Sequence, residues 1–276
     1  MSHDKASRAP DRKRKQKKGL PFLIPSCSFG YHHALIIAIL VSIILLSLLL
    51  GGCSSSSALI PDIFLLSLSY QKYTPTPDPA QGDYSTYSTI GKIVSNTHLQ
   101  VRVGYFGLCV DADGSGNYWL CSNNATALAQ RVSVDEDPLN LIWTANQFKQ
   151  SMIISYLMVV AVVLAVLCVF LLATFPAWYA EDDTECKPIP SRVVSQMALF
   201  ITFLASTFVF VSVLWQYTAS VAASIVARDF ANGSVMSSAG TAALVLGSIT
   251  CTLLMGVVGA LLAMVLSKRV FESGAV

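Results

Sequence analysis

Four stretches carry apolar side chains and no Asp, Glu, Lys or Arg, at residues 34–53, 151–175, 193–217 and 241–266. Each has about the 20 residues needed to cross a bilayer's hydrocarbon, so four transmembrane helices are expected. The long polar segment 54–150 follows another rhythm. From Leu99 to Val110, Leu99, Val101, Val103 and Tyr105 alternate with Gln100, Arg102 and Gly104. That is the period-2 signature of a strand. The turn-rich run Asp111 to Asn117 and then Tyr118-Trp119-Leu120 predict a β-hairpin. Upstream, the apolar patch Ala58 to Tyr70, interrupted by Pro61-Asp62, is too short to span and is expected to lie along the interface. Asp137-Pro138 reads as an N-cap and first helical turn, with no breaker before Pro176. A single helix from Leu139 would be roughly 57 Å long, a rigid post for the sheet.

These patterns divide the chain into a basic arm at 1–33, four spans, the loop 54–150, a loop at 176–192, a second loop at 218–240 and a tail at 267–276. Only 12% of the residues are charged and 54% are hydrophobic, which excludes a soluble enzyme. Eight of the 18 Lys and Arg precede residue 19, mostly in the run Arg12-Lys13-Arg14-Lys15-Gln16-Lys17-Lys18. By the positive-inside rule the N-terminus is cytosolic, and four crossings return the C-terminus, with Lys268 and Arg269, to the same side. The run serves as topology signal and as contact for anionic lipid at ~1 kcal/mol per residue, not as a nucleic-acid patch. Leu50-Gly51-Gly52-Cys53 looks like a lipoprotein cleavage site, but the n-region is too long, so the first span is an uncleaved anchor. The loop 176–192 is acidic and Pro-stiffened, a solvated connector. Trp143, Trp178, Tyr179, Trp215 and Tyr217 fall near span ends, as an aromatic belt requires.

The seven cysteines sort by compartment. Cys27 and Cys186 face the reducing cytosol, Cys168 and Cys251 sit in spans, and Cys53, Cys109 and Cys121 lie toward the oxidising side. Cys109 and Cys121 flank the proposed hairpin turn, and a disulfide there is expected to contribute about 3 kcal/mol. Within that loop Asp111, Asp113, Ser115 and Asn117 present oxygens at alternate positions, with Gly116 sixth, as a calcium loop opens. The twelfth position is Ser122, not a bidentate glutamate, so calcium binding there is weak at best and a tight acidic turn explains the same residues. Asp135-Glu136-Asp137 serves either to attract cations or to cap a helix. Asn124-Ala125-Thr126 and Asn232-Gly233-Ser234 are glycosylation sequons, both extracellular under this topology.

In the fourth span Ala243, Gly247 and Cys251 form one ridge of small side chains, and Thr252, Gly256 and Ala260 a second. Ala198, Thr202 and Ser206 repeat the pattern in the third. A compact bundle uses such ridges, and so does a homo-oligomer. His3, His32, His33 and His98 are scattered, with no partner pattern for a nucleophile, and no catalytic constellation is expected. The spans contain no ionisable side chain of the kind that lines proton or ion paths; Gln196 and Gln216 lie near span ends.

Gly104, Tyr105, Phe106, Gly107, Leu108 and Cys109, followed by Cys121, give the order glycine, two apolar residues, glycine, any residue, cysteine, then a second cysteine. This resembles the claudin-type tetraspan signature, and most closely that of the fungal pheromone-induced calcium regulators and membrane-fusion proteins. The resemblance implies an all-α transmembrane four-helix bundle with a small extracellular antiparallel β-sheet. It also implies a plasma-membrane protein at mating or polarised growth sites, promoting low-affinity calcium influx and cell fusion. Its partners would be lipid, a second copy or a calcium channel, and a protein on an apposed cell, without nucleic acid or cofactor. Animal claudins have tryptophan where Cys109 stands, so tight-junction function does not transfer. The cortical Sur-type and PalI-type organisers and a claudin-like adhesion protein fit the same residues. On this reading the hairpin 99–121 is the recognition surface.

Overall fold

A computed structural model describes residues 31–57, 59–71, 89, 91–94, 97–116, 118–133, 135–174, 192–230 and 234–273. The basic arm and the loop 176–192, with Trp178 and Tyr179, lie outside the described residues. Among the described residues, four helices are long and apolar enough to cross a membrane. They are α1 (Tyr31–Leu50), α4 (Ser155–Ala173), α5 (Arg192–Phe230) and α6 (Thr241–Ser273). They pack as a ring in which α1 and α5 each touch both α4 and α6. Ala198, Thr202 and Ser206 of α5 are buried inside it, where Thr202 Oγ1 lies 2.9 Å from Cys168 Sγ. Small and hydroxyl-bearing side chains permit this close approach, while larger apolar groups such as Ile37, Phe203 and Phe210 point outward.

Beyond one end of the ring sits a five-stranded antiparallel sheet. Its strands are β1 (Leu66–Tyr70), β2 (Gln100–Val103), β3 (Leu108–Asp111), β4 (Leu120–Ser122) and β5 (Val235–Ala239), in the order β4-β3-β2-β1-β5. Period-2 alternation decides its faces. Leu66, Leu68, Val101, Val103, Leu108 and Val110 are all buried on one side, under the short helix α2 (Ala125–Ala129) and α3 (Leu141–Met152). Each such side chain contributes roughly 1.5–3 kcal/mol relative to exposure.

Four expectations change here. The patch 58–70 is not an interfacial segment: a 3-10 turn at Ile60–Asp62 leads into β1, paired on both edges by β2 and β5. The run 99–110 is not one strand but two, β2 and β3, reversing between Gly104 and Gly107. The helix expected from Leu139 starts at Leu141 and breaks at Ile153 and Ile154, whose ψ angles of 114° and 73° are non-helical. Ile153 packs against both the sheet core and the bundle core, and satisfying both overrides the uninterrupted helical pattern. The rigid post is instead α5, which runs 39 residues, well past the predicted end at 217. Its length of about 58 Å is nearly twice the hydrocarbon thickness. Its far end packs on β5, where Ser237 Oγ donates to the Ser224 carbonyl at 2.9 Å.

Candidate functional site

The motif residues sit where the sheet meets the bundle. Gly104 N–H donates to the Gly107 carbonyl at 2.9 Å, closing the β2–β3 turn. Both glycines are needed for space. A Cβ at Gly104 would fall on the Gly52 carbonyl oxygen and 2.9 Å from Cys53 Cβ. One at Gly107 would fall on the Cys53 carbonyl oxygen and 2.9 Å from Ser54 Cα. The turn therefore lies backbone against backbone on the residues that leave α1. Cys53 there adopts φ 55° and is fully buried, with Sγ facing the Pro61 and Ile63 carbonyls at 3.9 and 3.6 Å. Burial pushes its thiol up to about 12, so it is an inert packing group.

From this turn Tyr105 points into the bundle, clustering with Leu46, Leu49, Met158, Val209 and Leu254 and not with the sheet core. Its hydroxyl lies beside Ser212 and Gln216 of α5 without hydrogen-bond geometry to either. Leu108 and Cys109 are fully buried as well. Phe106 alone of the motif is exposed. The motif turn itself is thus a joint, with Gly104, Tyr105 and Gly107 holding the sheet to the residues that leave α1 and to the bundle, whereas residues 113–116 and Tyr118 of the expected recognition surface 99–121 are exposed.

Cys109 and Cys121 face each other across β3 and β4 and are joined by a disulfide, with Cα atoms 4.0 Å apart. Beside Cys109, on the same face, stands Arg102. Its guanidinium donates to Asp62 Oδ1 at 2.7 Å and to the Pro61 carbonyl at 3.1 Å, and lies 4.8 and 4.0 Å from the Phe64 and Trp119 ring centres. Asp62 is largely exposed, so this ion pair contributes little by itself; the two ring contacts at ~0.5–2 kcal/mol each matter more. Sequence reasoning placed Arg102 on the polar side of the strand and stopped there. The signal available was the aromatic pair Tyr118-Trp119 directly after the polar run Asp111 to Asn117.

The loop after β3 is closed by Asp111, buried, whose Oδ2 accepts the Gly116 N–H at 2.6 Å. Gly114 and Gly116 take φ of 63° and 75° there, the left-handed region that glycine enters freely. Asp113 faces an open cleft of ≈ 820 Å³ that Asp135, Glu136 and His98 also line. Asn117 lies outside the described residues. Among the described residues, no group of three or more His, Cys, Asp or Glu is placed to hold a metal ion. Glu136 caps the Ser133 N–H at 3.1 Å. Asp137 accepts from Tyr70 Oη and Leu141 N–H, both at 2.7 Å, and from Ile142 N–H at 3.1 Å. It caps α3 from outside, Pro138 preceding the helix, while Asn140 holds φ 53° at its start. Burial, then donation to Asp137, raises the Tyr70 phenol above the ordinary tyrosine range.

Asn124 caps α2 through Oδ1, accepting Thr126 N–H at 2.9 Å, and is exposed; Asn232 lies outside the described residues. Ala243 is buried, Gly247 packs on Val213 of α5, and Cys251 is partly buried, so that ridge is used inside the bundle. On the other ridge Ala260 is partly buried, whereas Thr252 is exposed and a Cβ at Gly256 would meet nothing. Trp143 belongs to α3, the helix that covers the sheet.

A family described as Ca2+ regulator and membrane fusion protein Fig1 has a model that matches residues 86–268, more than half of the 276 residues. The match takes in the motif turn, the disulfide, strands β2 to β5 and three of the four long helices. No curated protein matches the chain.

Proposed function

Because the chain belongs to the Fig1 family of Ca2+ regulators and membrane fusion proteins, we propose that it promotes low-affinity calcium influx and cell fusion during fungal mating. It does so as a claudin-like tetraspan of the plasma membrane, with both termini cytosolic and the sheet outside. The observation that carries this reading is the family match, which spans the Gly104–Cys109 turn and Cys121. The protein acts without a catalytic step. Its partners are a second copy or a calcium channel in the same membrane, and a protein on the apposed cell.

The joint supports that division of labour. A sheet held backbone-to-backbone on the residues that leave α1 and by a 39-residue α5 presents its outer surface in a fixed attitude to the bilayer. Calcium uptake and mating-cell fusion in a deletion strain exposed to pheromone test the proposal. Loss of both is expected, restored by the full chain. Unchanged uptake with normal fusion would instead indicate a cortical organiser, and unchanged uptake with defective fusion an adhesion protein.

A further inference from the structure

Phe106 is the one side chain of the motif turn that neither the sheet nor the bundle takes up: it is 44% exposed, between buried Tyr105 and buried Gly107. The level at which it is exposed is fixed from three directions. Gly104 and Gly107 on either side of it rest on Gly52 and Cys53, two and three residues past the end of α1 at Leu50. Tyr105 beside it descends among Leu46 and Leu49, in the last turn of that helix. The Tyr105 hydroxyl lies beside Gln216, whose neighbours Trp215 and Tyr217 are exposed, as is Tyr156 at the start of α4. Leu59 shares this level, because its neighbour Ile60 accepts the Cys53 N–H at 3.2 Å, and Leu59 is 79% exposed.

Exposed Phe, Tyr and Trp near the ends of membrane helices, next to their apolar outer faces, mark the boundary between headgroups and acyl chains. A water-facing turn at that height would gain nothing from Phe106, since full burial of such a ring is worth roughly 1.5–3 kcal/mol. We propose that the Gly104–Gly107 turn is a lipid-contacting element: Phe106, with Leu59 beside it, inserts into the leaflet of the protein's own membrane at the sheet end. The ligand is phospholipid, taken at the headgroup–acyl boundary. The turn thus has two faces, Tyr105 engaging protein and Phe106 engaging lipid. The proposal rests on the membrane assignment of the four helices and not on which side of the membrane the sheet faces.

Photo-crosslinking of the full chain in phosphatidylcholine vesicles tests it, with benzoylphenylalanine introduced singly at Phe106, Phe203 or Tyr118. Phe203 is exposed within the span of α5, and Tyr118 is exposed before β4, beyond the end of that strand remote from the turn. Irradiation is expected to add one lipid mass at Phe106 and Phe203 and none at Tyr118. Lipid on Phe203 alone, or a protein adduct in place of lipid at Phe106, would overturn the proposal and leave the membrane assignment standing. No lipid at either position would overturn both. Should the Phe106 derivative fail to fold, Phe106→Trp supplies the same decision. Brominated phosphatidylcholine is expected to quench its added emission, and unquenched emission would overturn the proposal.

Discussion

At Gly107 a methyl group has no free volume, because the atoms it would meet are the backbone of Cys53 and Ser54 and not a side chain able to rotate away. Gly107→Ala is therefore expected to destabilise by about 1–3 kcal/mol, as overpacking does, read as a lower melting temperature of the purified protein. Gly256→Ala is the matched control: nothing lies within 4 Å, and alanine in a helix is favoured by about 0.5–1 kcal/mol. A second residue-scale expectation concerns alkali. Cys53 is raised from an ordinary 9.0 to about 12, and Tyr70 is raised above its ordinary 10.0. Both acids keep a proton in the folded state that the unfolded chain surrenders, so their contribution is complete below pH 9 and declines as pH rises from there. Melting temperature should fall between pH 9 and 11, and Cys53→Ser should flatten that slope. An unchanged slope would count against the burial of this thiol.

At the scale of elements, the disulfide and the cap divide the work of holding the sheet. Cys109→Ser and Cys121→Ser should each cost about 3 kcal/mol and no more together, since one bond is lost either way; additive losses in surface delivery would contradict the pairing. Asp137→Ala removes the acceptor of three hydrogen bonds and leaves the Tyr70 hydroxyl proton and two helix N–H groups without an acceptor, an expected loss of about 2 kcal/mol or more in thermal unfolding. The spans were legible because length and apolar content alone specify them. β1 was misread although Leu66-Ser67-Leu68-Ser69-Tyr70 alternates plainly; its apolar residues were grouped with those before Pro61. The Ile153–Ile154 break left no local trace, having neither Gly nor Pro, and arises from packing on two cores at once. The end of α5 was placed at 217 by bilayer thickness, whereas Ala222, Ala223 and their neighbours carry the helix on to Phe230. As for the candidate site, the motif was legible as a pattern but its burial was not, because the contacting Gly52 and Cys53 are some fifty residues upstream in sequence.

For the whole molecule, four crossings require both termini to share one side of the membrane. Under the proposed orientation, tags at the two ends are expected to be protected together on intact cells, and Asn124 to carry a glycan removable by an amidase. Labelling of one tag only would contradict an even number of spans. The joint beneath the sheet also has two unequal origins: its upper half is the turn 104–107, within the family match, and its lower half is Gly52 to Ser54, outside it. A chimaera that grafts residues 86–268 onto a foreign first helix would bring the plug without its socket. Any transplant of this sheet to another scaffold has to start inside α1, with both partners of the backbone contact moved as a single cassette.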